Sequence, residues 1–213
     1  TRFDFVAFDE IQTMKFVDPG QIQTALKDYM EFGEVKGFDA KMEADAGIVV
    51  LGNVDAEKFN TKLNMVDEIN PMFRESATLD RFHGLIPGWE IPRMHQGLVA
   101  DGWALNTEYF AEVLHLLRDE MQYAAIVDEC LDVPDKPDMR DLTAIKRLCT
   151  AYVKLIFPHA TCKADILPEE FIKYCLEPAI EMRQSIKNQL CAVDPKEFDV
   201  PGKRNVPDIT YRY

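Results

Sequence analysis

The 213-residue chain is 47% apolar and 29% charged, the composition of a globular protein long enough to bury a core. Its 24 Lys and Arg stand against 37 Asp and Glu, a formal net charge of -13, which excludes a generic polyanion binder whose grip comes from surplus cations. No apolar run reaches the ~20 residues of a membrane helix, no signal-peptide pattern opens the chain, and five cysteines without a C-x-x-C pair argue against zinc or a disulfide framework and for a reducing, cytoplasmic setting.

Thr1 rather than Met opens the chain, and Phe5-Val6-Ala7-Phe8 follows almost at once. An unbroken apolar run predicts a central strand covered on both faces, as in parallel sheets. A strand of that kind so near the start makes a fragment, cut just before a core strand, the expected state of the chain. Residues 9–20 read as a loop punctuated by Pro19-Gly20. Ile22, Leu26, Tyr29 and Met30 have helical spacing and predict a helix over 21–32, with Gly33 as its C-terminal cap. Residues 34–46 read as a polar hairpin around Gly37, and 47–52 (Gly47-Ile48-Val49-Val50-Leu51-Gly52) as a second fully apolar strand. Residues 56–79 are helical in part, and 83–91 hold a short strand-like piece closed by Pro87 and Pro92.

From about residue 95 the pattern is helical only. Asn106 or Thr107 caps a helix with Phe110, Val113, Leu114, Leu117 and Met121 on one face. Asp138 or Asp141 opens a second, carrying Leu142, Ile145, Leu148, Tyr152 and Leu155 and stopped at Pro158. Pro168 suits the first turn of a third, running to about Leu190 and bent at Pro178. Residues 194–213 contain Pro195, Pro201 and Pro207 with little periodicity and read as a linker. The fold class is therefore α/β with an incomplete parallel-type sheet over 1–95, an all-α domain over 96–193, and a linker over 194–213.

Several polar residues sit where chemistry is done. Asp9-Glu10 directly follow the first apolar strand, and in α/β sheets ligands gather at the carboxyl ends of strands. There Asp9 suits a hydrated Mg²⁺ and Glu10 an attacking water; a solvated acidic turn is the alternative. Asn53 follows the second strand in the same way, either to orient a water or to form a turn. Arg81 can stabilise charge on a transferring phosphoryl group from a neighbouring subunit, or pair with Asp80. Arg140, at the start of the second helix of the all-α domain, can reach a nucleotide phosphate or serve as a surface charge. His83, His95, His115 and His159 have no metal spacing, His83 being structural rather than catalytic, and the cysteines are read as small core residues.

In order, the chain runs strand–Asp-Glu, hairpin, strand–Asn, Arg, strand-like piece, then a helical domain with Arg at a helix start. This order resembles the second half of an AAA+ ATPase module of the minichromosome-maintenance type. The stretches Phe8-Asp9-Glu10-Ile11, Thr78-Leu79-Asp80-Arg81-Phe82-His83-Gly84, Ile86-Pro87-Gly88-Trp89-Glu90-Ile91-Pro92 and Arg140-Asp141-Leu142-Thr143-Ala144-Ile145-Lys146 resemble the BrxL family more closely, the Lon-like AAA+ proteins of BREX phage-exclusion systems. The likeness spans nearly the whole chain. It implies that Asp9 and Glu10 are a Walker B pair, Asn53 the first sensor, Arg81 an arginine finger and Arg140 the second sensor. ATP and Mg²⁺ are the implied cofactors, a ring of subunits the implied assembly. The hairpin at 34–46 would point into the ring's pore, where Lys36 and Lys41 meet DNA phosphates or remain solvated.

Two features depart from the family pattern. No G-x-x-x-x-G-K-[ST] phosphate loop occurs, so this chain alone is expected to bind ATP weakly or not at all. The Ser-Lys pair of a Lon peptidase is also missing: the serines are Ser76 and Ser185, and neither context suggests a nucleophile. Beside the ATPase, two other readings stand. One is a non-enzymatic assembly or DNA-contacting module; the other is a Lon-type ATP-dependent protease as the parent protein.

Overall fold

A computed structural model describes residues 4–36, 41–54 and 68–213, and for 35, 36 and 41–43 the backbone alone. The chain gathers into two compact units, Thr1–Phe82 with Ile186–Asn205, and His83–Ser185 with Val206–Tyr213.

In the first unit, β1 (Phe5–Phe8) pairs in parallel with β4 (Gly47–Val50), Phe8 lying opposite Val50. Between them come α1 (Pro19–Phe32) and the antiparallel pair β2 (Glu34–Lys36) and β3 (Lys41–Glu43). Pro19, expected in the loop, is instead the first helical residue of α1, where its missing N–H costs nothing; the Asp18 carboxylate accepts the Gln21 N–H at 3.0 Å. Gly33 ends α1 in the left-handed conformation at φ 66°, as its position predicts. The hairpin tip at Gly37, and most of the stretch expected to be partly helical, lie outside the described residues; the remainder of that stretch contains the one-turn α2 (Ser76–Leu79). Ile11, Met72 and Phe73 form a small core with Phe8, Met14, Phe16, Leu26, Val50, Ile69 and Phe82 packed on it.

The strands differ from expectation in their cover. Phe5 is 62% exposed and Val6 42%, and β4 alternates exposed and half-buried residues. Two strands with a core on one side cannot bury both faces of an apolar ribbon.

The second unit contains α3 (Thr107–Leu117), α4 (Gln122–Cys130), β5 (Leu131–Asp132) and α5 (Met139–Ile156). Asn106 caps α3 by accepting the Tyr109 N–H at 3.0 Å. Asp138 caps α5 from the Arg140 and Asp141 N–H groups at 2.9 and 3.3 Å. After α6 (Pro168–Phe171), a π-helical stretch, Ile172–Leu176, leads directly into α7 (Glu177–Val193). The π turn falls just before Pro178, where it accommodates the absent N–H and the ring's clash with the preceding turn. No strand forms at 83–91; Gly88–Glu90 is a 3-10 turn, since Pro87 and Pro92 remove ladder donors.

Tyr123, Val127, Cys130, Ile145, Cys149, Val153, Phe171 and Cys175 make the sealed core of this unit. Within it the Arg183 Nε donates to Asp141 at 2.7 Å, both side chains being fully buried. Three of the five cysteines are core residues as read; Cys162 is exposed and Cys191 half-buried.

The proline-rich tail is packed rather than a free linker. It forms α8 (Pro195–Phe198), with Phe198 buried, and β6 (Thr210–Tyr211), which pairs antiparallel with β5 and seats Ile209 and Tyr211 in the second core. Four apolar side chains spaced among the prolines supply the burial that periodicity did not reveal: Phe198, Val206, Ile209 and Tyr211.

Candidate functional site

Asp9-Glu10 leave the carboxyl end of β1, and Asn53 leaves that of β4. The strands are adjacent and in parallel register, so these residues share one end of the sheet. Backbone bonds continue beyond the strands: Leu51 N–H donates to Phe8 O at 2.8 Å and Ile11 N–H to Leu51 O at 3.1 Å. Gln12, which no sequence pattern singled out, closes the set, its Oε1 accepting the Asn53 N–H at 3.4 Å. Gly52 lets the segments approach this closely, since an added Cβ would lie 3.1 Å from the Ile11 side chain.

Glu10 has φ 49°, and it is the one described residue other than glycine with a positive φ. A side chain there costs roughly 1–2 kcal/mol, and such strain concentrates at working sites. Local bonds hold the turn. The Asp9 carboxylate accepts the Glu10 N–H at 2.8 Å, and the Glu10 carbonyl accepts from the Thr13 N–H and hydroxyl at 2.9 and 3.0 Å. Asp9, Glu10 and Asn53 are all exposed, so their carboxylates and amide are open to a ligand.

Arg81 belongs to the same unit, just after α2. Its Nη2 donates to Glu31 of α1 at 2.8 Å and its Nη1 to Ala77 O at 2.5 Å. Arg140 lies in the other unit, exposed at the second residue of α5. Lys36 and Lys41 stand directly opposite each other across the β2–β3 hairpin.

His83 accepts a hydrogen bond at Nε2 from Arg147 Nη1 at 3.1 Å; a guanidinium only donates, so the imidazole proton sits on Nδ1. Burial, and then the charges of Arg147 and Arg183, push its pKa down to about 4. A neutral, charge-flanked imidazole of this kind agrees with a structural role. Ser185 donates its hydroxyl to Glu181 O within α7 at 3.0 Å, and Ser76 opens α2; neither is set beside a lysine in any bond described here. Among the described residues no group of His, Cys, Asp and Glu has metal-binding geometry, and no helix is long and apolar enough to cross a membrane.

The sequence profile described as "Lon-like protease BrxL-like, ATPase domain" matches residues 1–202. The chain belongs to this family. It is 29% identical over 198 residues to Lon-like protease BrxL of Escherichia coli O9:H4 (strain HS), and 30% identical over 201 residues to Lon-like protease BrxL of Bacillus cereus (strain H3081.97). Each alignment covers 92% of this chain and 28% of the relative, so the chain spans little more than a quarter of the curated relatives' length. As a BrxL-type ATPase domain, it combines an α/β part with a small parallel sheet and a helical part.

Proposed function

We propose that this chain supplies the hydrolytic half of an AAA+ nucleotide site, its first unit being the partial α/β core and its helical unit the lid. The observation that carries the reading is the meeting of Asp9-Glu10 and Asn53 at one end of adjacent parallel strands, with Glu10 exposed and held at a positive φ. Carboxylate oxygens are the hard donors that a hydrated Mg²⁺ accepts, and Asp9 is the residue to hold it through water. Bound there, Mg²⁺ would supply charge neutralisation on the phosphates. Glu10 acts as general base on the attacking water, within the range of a positioned carboxylate. Asn53, neutral and tethered by Gln12, orients that water through its amide. Arg81 stabilises the charge that develops on the transferring phosphoryl group of a neighbouring protomer's nucleotide, and Arg140 is the candidate second sensor.

Turnover drives a ring acting on DNA in phage defence. The β2–β3 hairpin supports this part of the reading: its backbone register sets the two basic residues Lys36 and Lys41 opposite each other, and DNA is gripped through cations that neutralise its phosphates. The relatives are named proteases, but the serine contexts in this chain favour ATP hydrolysis as its own contribution.

The deciding experiment uses the full-length protein with ATP and Mg²⁺. Glu10→Gln should abolish ATP hydrolysis, read as phosphate release, while nucleotide stays bound by calorimetry. Normal turnover in that variant removes Glu10 from its role, and no ATP-dependent phosphate release by the parent protein removes the ATPase reading.

A further inference from the structure

Gln23, Lys27 and Glu31 recur at four-residue intervals and so form a single stripe along α1. Each ends on the segment that leads to Arg81. Gln23 Nε2 donates to Met72 O at 2.8 Å and to Thr78 Oγ1 at 3.5 Å. Lys27 Nζ donates to Glu75 at 2.8 Å. That bond is the main reason the Glu75 pKa lies below its ordinary value, with Thr78 and the Arg81 charge acting the same way against the cost of desolvation. Glu31 accepts from Arg81 Nη2 at 2.8 Å, while Ala77 O takes Nη1.

Both terminal nitrogens of Arg81 thus meet fixed acceptors of its own chain. Only 17% of its side chain is exposed, and its buried Nε has no acceptor. An unsatisfied buried donor destabilises the fold. The guanidinium therefore does not rest where its own bonding is best; α1 and the Ala77 carbonyl dictate its seat.

We propose that Glu31 is a positioning residue, which through the α1 stripe fixes the plane of the Arg81 guanidinium in the orientation that meets a neighbouring protomer's nucleotide. The proposal rests on the reading of Arg81 as a finger acting in trans. A charged group held in place before its partner arrives needs no reorganisation in the transition state. Glutamine at 31 keeps the shape but not the charge that holds Nη2.

Mixed assemblies of the complete polypeptide test it. Donor subunits carry Glu10→Gln and keep Arg81; acceptor subunits carry Arg81→Ala and keep Glu10. Hydrolysis then arises only where a donor's arginine faces an acceptor's water. Donors that also carry Glu31→Gln should restore kcat roughly tenfold to a hundredfold less well than Glu10→Gln donors, with KM for ATP within about twofold, the effect of a misplaced group. Glu31→Asp donors should fall between. Equal restoration by the Glu31→Gln donor overturns the positioning role and leaves the finger intact. No restoration by the plain Glu10→Gln donor overturns the finger reading itself. Should melting curves show the Glu31→Gln donor unfolded, the Glu31→Asp donor decides: impaired restoration supports the role, and full restoration overturns it.

Discussion

In the unit built on β1 and β4, Phe5, Val6, Val49 and Leu51 are each more than 40% exposed; in the helical unit, Val127, Ile145, Cys149, Val153, Phe171 and Cys175 are completely enclosed. Both sets come from strongly apolar stretches. The difference is in layers: helices α4, α5 and α6 with the tail strand close around one another, whereas a two-stranded ribbon covers at most one of its faces. The candidates Asp9, Glu10 and Asn53 lie on the open unit, at the ends of its exposed strands. Enclosure and candidate chemistry are thus unevenly divided between the units.

That division can be broken or sharpened by substitution. The largest expected effect is on chemistry: Arg81→Ala in the complete polypeptide should lower the ATPase rate on the order of a thousandfold, and a rate within tenfold of the parent, measured by steady-state phosphate release, removes Arg81 from the site. On stability, Phe171→Ala should cost about 3–5 kcal/mol by urea unfolding, while Phe5→Ala should cost less than about 0.5 kcal/mol. Similar losses at the two positions would show that β1 is as sealed as the helical core.

A third test uses acid. His83 has a folded pKa near 4 against an ordinary 6.5. The unfolded chain therefore binds a proton that the folded chain refuses. Its contribution to stability is complete above pH 6.5 and is lost as pH falls toward 4, by up to about 3 kcal/mol. His83→Gln should flatten this part of the stability curve; parallel curves for the two proteins would place the imidazole in water. A fourth test concerns backbone strain. Glu10→Gly relieves the positive φ at some cost in unfolded-chain entropy, for a net gain of about 0.5–1 kcal/mol, together with loss of turnover. A loss of stability would mean that the turn is held by the Glu10 side chain.

Helix ends were legible because their determinants are local. Asn106, Asp138, Pro168 and Gly33 cap or open helices through groups within a few residues, and each did so where the sequence placed it. Asp9-Glu10 and Asn53 were legible as candidates because each directly follows an apolar strand. Gln12 and Glu31 were not, because one acts on a neighbouring strand and the other on a segment far along the chain. For Glu31 the one available signal was its four-residue spacing from Gln23 and Lys27, which by itself describes any polar helix face.

The amino-acid order alone determined the family likeness, the helix caps, the hairpin and the apolar strands, since propensity and capping act over a turn or two. Only the tertiary structure decided that β1 lies open, that the proline-rich tail is built into both units, and that Arg81 is seated by Glu31. Burial and ion pairing depend on which distant surfaces meet, and that information is spread over the whole chain rather than written in any one stretch of it.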